Sequence, residues 1–317
     1  MTIGTRGSAL ALWQARAVAR AIAEAGGPPC EIVVIRTSGD ESAGPPDSPR
    51  ATPGTLNVKR LFVKEIEEAL LDGRVDLAVH SSKDLPAALP DGLRIAGALA
   101  REDPRDAIVL PIGSPGRGLD AVVRALGRHP RIGTSSVRRG AELKALFADA
   151  TFAPVRGNVD TRLRKLDAGE CDALVLASAG LKRLELDARI SAALPVEVCV
   201  PAPSQGIVAI EIAEAAPDAV RRAIDAVTDA DAMTALIAER AVVRALGGGC
   251  QMPLGVLATL EGQSIAIRGS VSAPDGRRVV RASLDGNRGN PSAVGEKLAA
   301  ELLRRGAADI LSSLNPQ

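Results

Sequence analysis

The sequence predicts an α/β protein with two α/β units and a smaller C-terminal α+β unit. Three observations support this fold class. The chain has 317 residues, and a single hydrophobic core rarely serves more than about 250–300 residues. Apolar stretches of strand length alternate with helical patterns through the first two thirds of the chain. The last third places three strand patterns before one closing helix, which is typical of a small α+β domain.

The first unit is expected to open with a helix over 9–24, which Gly and Pro residues end. The apolar residues along one face of this helix are Leu10, Trp13, Ala17 and Ile22. A short strand follows at 31–36. The stretch 40–57 is rich in Pro, Gly and Ser and predicts a mobile loop. A second helix is expected over 61–71, and the strand VDLAVH after it ends at SSKDLP.

Charge and proline interrupt the apolar pattern at 100–106, where a second α/β unit is expected to begin. Helices are predicted over 137–147 and 158–166, and the stretch 195–213 predicts a crossover back to the first unit. Two α/β units joined by two crossings are expected to enclose a cleft, with ligands at the carboxyl ends of strands. The predicted domains are domain 1 (1–100 and 201–226), domain 2 (105–200) and domain 3 (229–317).

Composition argues against several classes of partner. The net charge is +1, and the aromatic residues are three Phe, one Trp and no Tyr. The chain therefore lacks the strong positive charge and the aromatic side chains for base stacking that would favour binding of nucleic acid. Four scattered cysteines and two histidines lack metal-ligand spacing and suit a reducing compartment. With no apolar run of membrane-spanning length and no signal-peptide pattern at MTIGTRGS, a cytoplasmic protein without metal, nucleic-acid or membrane partner is expected.

The segment VHSSKDLP delivers polar side chains at the end of an apolar strand. Asp84 beside Lys83 can remain ionised while it faces an apolar cleft, and it can also move a proton. Spacing alone favours a plainer alternative, a solvated Lys–Asp pair in a strand-end turn.

The segment RIGTSSVRRGAEL places hydroxyl groups where a helix is expected to begin. The hydroxyls of Thr134, Ser135 and Ser136, with free backbone N–H groups, can bind an anion there. Arg138 and Arg139 fall in the first turn, where cations oppose the helix dipole unless an anion is present. An N-cap followed by two exposed arginines is the alternative.

Cations and hydroxyls of the same kind occur at other junctions between loops and helices. They are Arg6 with Ser8, Arg156, Arg162 with Lys165, and Arg183. Arginine suits planar, bidentate recognition of carboxylates. Each cluster alone is more typical of a solvated helix face, but together they predict a polyanionic ligand, either polycarboxylated or phosphorylated. No P-loop or GxGxxG segment indicates a nucleotide.

The segment GGGCQMP surrounds Cys250 with bare backbone. Three glycines leave room for a bulky group beside a thiol presented on a loop. Cys250 could be a nucleophile, an attachment point, or a small residue in a tight turn without a chemical role.

Together these segments resemble the hydroxymethylbilane synthase (porphobilinogen deaminase) family. The similarity runs from GTRGSALALWQ to GGGCQMP, and the C-terminal part follows more loosely. The specific segments, in the order in which that family has them, are VHSSKDLP, REDPRDA, GTSSVRR, RGNVDTRL and GGGCQMP.

The resemblance implies a fold, a cofactor and a reaction. It implies two α/β domains like those of periplasmic binding proteins around a cleft, a small third domain, and a monomer. It also implies a dipyrromethane cofactor, made from the enzyme's own substrate and attached by a thioether to Cys250. Four porphobilinogen molecules would then be joined head to tail, each losing ammonia, before hydrolysis releases hydroxymethylbilane.

The resemblance also implies roles for individual residues, with Asp84 as the catalytic carboxylate. The implied cofactor-binding residues are Cys250, Lys83, Ser135, Arg138, Arg139 and Arg162. The implied substrate-binding residues are Arg6, Ser8, Lys59, Phe62, Ser136, Arg156 and Arg183. The chain departs from the family pattern at Arg60 and at Ser204, where the family commonly has glycine.

Two other functions remain open on the residues alone. A non-catalytic bilobal binding protein for a carboxylated or phosphorylated metabolite would explain the cleft and the arginines, but not GGGC in a third domain. A thiol-dependent transferase with Cys250 as a transient nucleophile would form a covalent intermediate that turns over, whereas a dipyrromethane would persist.

Overall fold

A computed structural model of the chain describes residues 1–37, 63–248 and 252–314. These residues divide into two compact units, one mainly from 1–101 and 207–234 and one mainly from 102–206 and 252–314. In chain order the helices and strands are β1 (Thr2–Thr5), α1 (Ala9–Glu24), β2 (Glu31–Val34), α2 (Lys64–Leu71), β3 (Leu77–Ser81), β4 (Leu93–Ala98), β5 (Asp106–Val109), α3 (Leu119–Leu126), β6 (Arg131–Gly133), α4 (Val137–Leu143), β7 (Thr151–Ala153), α5 (Val159–Asp167), β8 (Ala173–Ala177), α6 (Ser178–Arg183), β9 (Ala192–Ala193), β10 (Val208–Ala213), α7 (Asp218–Asp225), α8 (Ala230–Ala245), β11 (Leu254–Glu261), β12 (Ser264–Ser272), β13 (Val279–Asn287), α9 (Pro291–Leu302) and α10 (Ala308–Leu314).

The sheet of the first unit has the strand order β2-β1-β3-β10-β4. Strand β1 is parallel to β2 and β3, whereas β10 is antiparallel to both of its neighbours. Helices α1 and α7 cover one face, where Ile3 and Leu77 are inaccessible to solvent, and α2 covers the other around Ile66. The parallel strands β1 and β3 therefore end at the same edge of the sheet.

Helix α1 has the predicted length, but its buried face is rotated from the predicted one. The buried apolar residues are Ala11, Ala15, Val18 and Ile22, while Leu10, Trp13 and Ala17 are half-buried. Small alanine side chains let the helix approach the sheet closely, and the bulkier Trp13 lies to one side.

The first sheet of the second unit repeats this arrangement, with the strand order β7-β6-β8-β5-β9. Strand β6 is parallel to β7 and β8, and β5 is antiparallel to β8 and β9. In each sheet the antiparallel strand lies next to a point where the chain passes between the two units. Strand β5 is the first strand of its sheet in chain order, and the chain returns to the first unit with β10, after all strands of the sheet that contains β5. The first residue of β5 therefore lies at the edge where β6, β7 and β8 end.

The second unit also contains an antiparallel sheet, β11-β12-β13, against which α9 packs. Gly295 of α9 lies against the backbone carbonyl of Ala238 in α8, where any side chain would clash. The fold is thus two mixed α/β sheets plus a smaller C-terminal α+β part, as the alternation of elements predicted.

Several predictions about elements were wrong in detail. The helix expected to reach 147 ends at Leu143, and the strand expected at 31–36 ends at Val34. Strands β1, β4, β5, β7 and β9 and helices α3 and α10 were not predicted, because short runs have no period that separates them from loops. The first unit therefore opens with a strand rather than with the predicted helix. The predicted loop at 40–57 lies outside the described residues, as does Arg60. In the described part of the chain, no helix has both the length and the apolar character that crossing a membrane requires.

Candidate functional site

Four predicted site residues lie at the carboxyl edge of the first sheet. Arg6 and Ser8 follow β1, and Lys83 and Asp84 follow the neighbouring parallel strand β3. The chain order separates these pairs by more than seventy positions, and the parallel pairing brings them to one edge. This is the place where open α/β sheets bind ligands.

The local structure fixes the ends of both strands. The hydroxyl of Ser8 caps helix α1 by accepting the backbone N–H of Ala11 at 3.3 Å. The hydroxyl of Ser81, the last residue of β3, lies 2.8 Å from the amide nitrogen of the buried Gln14 in α1. The helix that follows β1 therefore holds the end of β3 in place.

Asp84 is the last residue of a single helical turn, Ser82–Asp84. The backbone N–H of Ser82 donates to the carbonyl of Ile207 at 3.0 Å, which fastens this turn to the start of β10. Asp84 is half-buried, and among residues 1–37, 63–248 and 252–314 its carboxylate has no hydrogen-bond or ion-pair partner. Lys83 is half-buried as well. A carboxylate held in this way is available to a ligand.

The carboxyl edge of the second sheet carries further predicted residues. Ser135 and Ser136 follow β6, and Arg156 follows β7. Strand β5 runs the opposite way and pairs Asp106 with Ala177, so Asp106 lies at this edge too.

Asp106 is inaccessible to solvent and binds both arginines of helix α4. Its Oδ2 lies 2.8 Å from Nη1 of Arg138, and its Oδ1 lies 2.6 Å from Nη2 of Arg139. Oδ1 also accepts from Nε2 of Gln205 at 2.9 Å. Burial by itself would raise the pKa of Asp106, but the charges of Arg138 and Arg139 outweigh it and hold that pKa well below its usual range.

The anion required by two arginines in a first helical turn is thus present inside the chain. The predicted alternative, two exposed arginines, is wrong, because Arg138 is 4% exposed and Arg139 is 7% exposed. Arg138 also donates to the carbonyl of Val200 at 2.6 Å, and Arg139 donates to the carbonyl of Val175 at 3.0 Å. Sequence reasoning did not single out Asp106, although it lies in the segment REDPRDA that carries part of the family resemblance.

The two serines after β6 differ in their roles. Ser136 caps α4, since its hydroxyl accepts the backbone N–H of Arg139 at 3.4 Å. Ser135 is exposed, and its hydroxyl donates to the carbonyl of Val155 at 3.1 Å. That hydroxyl oxygen can still accept a hydrogen bond, and the exposed position leaves it accessible to a ligand.

The remaining predicted arginines range from exposed to buried. Arg156 is exposed, and within the described residues it has no ion-pair partner. Arg162 is half-buried and donates to the carbonyl of Gly157 at 2.7 Å. Arg183 is buried and donates to the carbonyl of Gly206 at 2.7 Å, and burial lowers the pKa of Arg183 to about 10.

Three predicted site residues, Lys59, Phe62 and Cys250, lie outside the described residues. In the described part of the chain, no group of three or more His, Cys, Asp and Glu side chains is placed to hold a metal ion. The described residues therefore place an accessible carboxylate at a sheet edge of the first unit, and hydroxyls and arginines at a sheet edge of the second unit.

Solved structures similar to this chain include the immunogenic lipoprotein A of Vibrio vulnificus, with a TM-score of 0.41 and 16% identity over 74% of this chain and 98% of that one. Another is substrate-binding domain 2 of Lactococcus lactis GlnP, with a TM-score of 0.41 and 11% identity over 78% of this chain and 89% of that one. These distant similarities say nothing about what this chain binds.

Sequence comparisons are far more specific. Residues 1–221 match the family model described as porphobilinogen deaminase, dipyromethane cofactor binding domain, and residues 233–304 match the porphobilinogen deaminase C-terminal domain. Porphobilinogen deaminase of Bordetella parapertussis is 44% identical over 100% of this chain and 96% of its own length. That of Roseiflexus castenholzii is 45% identical over 98% of both chains. With family models over most of its length and relatives of this name over almost all of it, the chain belongs to the porphobilinogen deaminase family.

Proposed function

We propose that the chain is a hydroxymethylbilane synthase, a transferase of tetrapyrrole and heme biosynthesis. It joins four porphobilinogen molecules head to tail, each losing ammonia, and releases the linear tetrapyrrole hydroxymethylbilane by hydrolysis. The observation that carries this proposal is Asp84, an accessible carboxylate at the carboxyl edge of the first sheet in a chain of this family.

The donors at the edge of the second sheet fit a dipyrromethane, whose pyrroles carry carboxylate side chains. Ser135 and Arg156 are exposed there, and Arg162 is half-buried, so hydroxyl and guanidinium donors are available to carboxylates. When bound, the cofactor supplies the pyrrole carbon to which the first porphobilinogen is joined. We propose that Cys250 holds it by a thioether, and that Lys83 also contacts it.

Arg138 and Arg139 are proposed to act on the cofactor in a different way from Arg156. Both guanidinium groups are already bonded to Asp106, so neither side chain is free to move toward a ligand. Their fixed positive charge and remaining N–H groups can attract a carboxylate without any ordering cost at binding, because the protein has already fixed these side chains.

Asp84 is proposed to handle the charge and the proton of each condensation. Loss of ammonia leaves a cationic pyrrole, which a fixed carboxylate stabilises electrostatically and through hydrogen bonds from the pyrrole N–H. A protonated Asp84 could give its proton to the leaving amine and so become the carboxylate that faces the cation, and this carboxylate could then accept the proton that is lost when the ring regains aromaticity. The residues proposed to bind the acetate and propionate groups of the substrate and the growing chain are Arg6, Ser8, Lys59, Phe62, Ser136, Arg156 and Arg183.

Domain division, oligomeric state and compartment are parts of the same proposal. The three sheets support domains at 1–100 with 201–226, at 105–200 and at 229–317. We propose a monomer without nucleic-acid or membrane partners, located in the cytoplasm. Three cysteines in the described residues, Cys30, Cys171 and Cys199, are free thiols, which suits a reducing compartment.

The test is the intact mass of the denatured, purified protein beside that of a Cys250→Ser variant. We expect an excess equal to two porphobilinogen molecules less two ammonias in the wild type and none in the variant. A wild-type mass equal to the bare chain, unchanged after incubation with porphobilinogen, would contradict the proposal and favour a binding protein. A covalent mass that appears and then disappears during turnover would favour a transient thiol nucleophile.

A further inference from the structure

Both backbone polar groups of Val200 are held by one turn of helix α4. The carbonyl of Val200 accepts from Nη1 of Arg138 at 2.6 Å, and its N–H donates to Oε2 of Glu142 at 2.6 Å. Arg138 and Glu142 are four residues apart, so they lie one above the other on the same helix face. Val200 itself is 3% exposed, so neither bond can be replaced by solvent.

Glu142 continues this connection into the C-terminal sheet. Its other oxygen, Oε1, accepts from the hydroxyl of Ser270 in strand β12. Glu142 is 1% exposed, and burial raises its pKa although the charge of Arg138 opposes that effect. Both carboxylate oxygens are therefore used, one toward Val200 and one toward Ser270.

Strand β11 rests on the same segment. The backbone N–H of Val256 donates to the carbonyl of Pro201 at 2.9 Å. Gly255 approaches Val200 so closely that a Cβ at Gly255 would lie 2.6 Å from the Val200 oxygen. Strand β11 begins at Leu254, four positions after Cys250 in the sequence.

We propose that Glu142 is a positioning residue that fixes the arginine-bearing helix α4 relative to strand β11. It does so through the bonds to Val200 and Ser270, and it thereby sets Arg138, Arg139 and Ser136 in register with the strand that follows the cofactor-bearing cysteine. This inference rests on the proposed function, because it concerns how the carboxylate-binding groups and the attachment point of one cofactor are held together.

A misplacement of about 1 Å between reacting groups can cost about a hundredfold in rate. Attachment of the cofactor requires the thiol of Cys250 and the carboxylate-binding groups to be aligned at the same time. We therefore expect the loss of this register to slow attachment of the cofactor.

Four variants separate positioning from simple stabilisation. Glu142→Ala removes both bonds and leaves the Val200 N–H buried without a partner. Glu142→Gln keeps both, because its amide oxygen can accept from Val200 and its amide nitrogen can donate to Ser270. Ser270→Ala removes only the bond to β12. Glu197→Ala is the matched control, because the exposed pair of Glu197 and Arg268 at 2.6 Å also joins strand β12 to the segment that contains Val200.

The experiment follows attachment of the cofactor to the full-length chain prepared free of it. Each variant is incubated with porphobilinogen well below the lowest melting temperature in the set, and the intact mass is recorded against time. Circular dichroism confirms that each chain is folded. We expect attachment to be about tenfold slower or more in Glu142→Ala, slower to a smaller degree in Ser270→Ala, and unchanged in Glu142→Gln and Glu197→Ala.

Attachment at the wild-type rate in folded Glu142→Ala would overturn the inference, and so would equal slowing in Glu142→Gln. If Glu142→Ala does not fold, Ser270→Ala decides, and an unchanged rate there would count against the proposal. A wild-type chain that gains no mass from porphobilinogen would instead refute the proposed function, so the two failures are distinguishable.

Discussion

Asp84 and Asp106 are the same residue type at the edges of two sheets of the same topology, yet their surroundings are opposite. Asp84 follows a strand, is half-buried, and has no bonded partner in the described part of the chain. Asp106 begins an antiparallel strand, is inaccessible to solvent, and is bonded to two arginines. An accessible carboxylate can serve a ligand, whereas one enclosed by arginines can only organise its neighbours.

The difference arises from strand direction. A residue that follows a strand leaves the sheet and enters a loop, as Asp84 does in the turn Ser82–Asp84. A residue that begins an antiparallel strand at the same edge already belongs to the sheet, where Ala177 pairs with it and helix α4 covers it. Position in the sheet, rather than residue type, therefore decides whether a carboxylate is accessible to a ligand or enclosed by arginines.

The largest effect on activity is expected from Asp84→Asn. The amide cannot carry the negative charge that we propose stabilises the cationic pyrrole, so turnover should fall about 10²–10⁴-fold. The free energy of unfolding should stay within about 0.5 kcal/mol of the wild type, since no internal bond is lost. Ammonia release measures turnover, and urea unfolding measures the free energy of unfolding. Near-full turnover in Asp84→Asn would refute the role of Asp84.

The largest effect on stability is expected from Asp106→Asn. Two buried guanidinium groups would lose their anion, which should cost about 3–5 kcal/mol of unfolding free energy. Asp172→Asn is the matched control, because Asp172 pairs with Arg131 at 3.0 Å on the surface and should cost at most about 1 kcal/mol. Urea unfolding measures both variants. An equal loss of unfolding free energy in Asp106→Asn and Asp172→Asn would show that burial of Asp106 with its two arginines does not increase the stability that this ion pairing provides.

Arg156→Gln should weaken substrate or cofactor binding without affecting stability. Arg156 is exposed, and one lost charge-assisted hydrogen bond corresponds to about a tenfold rise in KM. Arg164→Gln, on the exposed side of the neighbouring helix α5, should leave KM unchanged. A KM for porphobilinogen that is equal in both variants would remove Arg156 from the proposed site.

The pH dependence of stability should reveal Asp106 in acid. Its folded-state pKa is depressed, so its contribution is present above the unfolded pKa of about 4 and is lost as pH falls through the folded value. The difference in unfolding free energy between the wild type and Asp106→Asn should therefore shrink below about pH 4. Urea unfolding at several acidic pH values measures this, and a constant difference would contradict the assignment.

The smallest effect is expected from Ser204→Gly. Ser204 directly precedes Gln205, whose amide donates to Asp106. Ser204 has a φ of 61°, in the left-handed region that favours glycine, and is buried. Its N–H donates to Glu239, and glycine keeps that bond. We expect a gain of about 1 kcal/mol in unfolding free energy. Ser204→Ala retains the backbone strain and should give no such gain, so an equal gain in both variants would point to the hydroxyl instead.

Much of the first edge of the site could be predicted from the sequence, but less of the second. Lys83 and Asp84 follow the apolar strand VDLAVH, and a local pattern is enough to place such residues at a sheet edge. Arg6 and Ser8 were predicted only to lie at the start of a helix, because the short strand β1 before them was not predicted. Asp106 precedes a strand of only four residues, which has no readable period. Asp106 reaches the carboxyl edge because β5 is inserted antiparallel into the sheet, and no local sequence pattern encodes that insertion.

The sequence alone determined much of the alternation of strands and helices and the positions of the polar segments at their junctions, and it raised an anion near Arg138 and Arg139 as one of two alternatives. It did so because helix and strand periods and capping preferences act over a few neighbouring residues. Only the tertiary structure decided which anion it is, because Asp106 lies thirty-three positions from Arg139 in the chain. The same holds for Glu142, whose partner Ser270 is distant in sequence and becomes a neighbour only through packing.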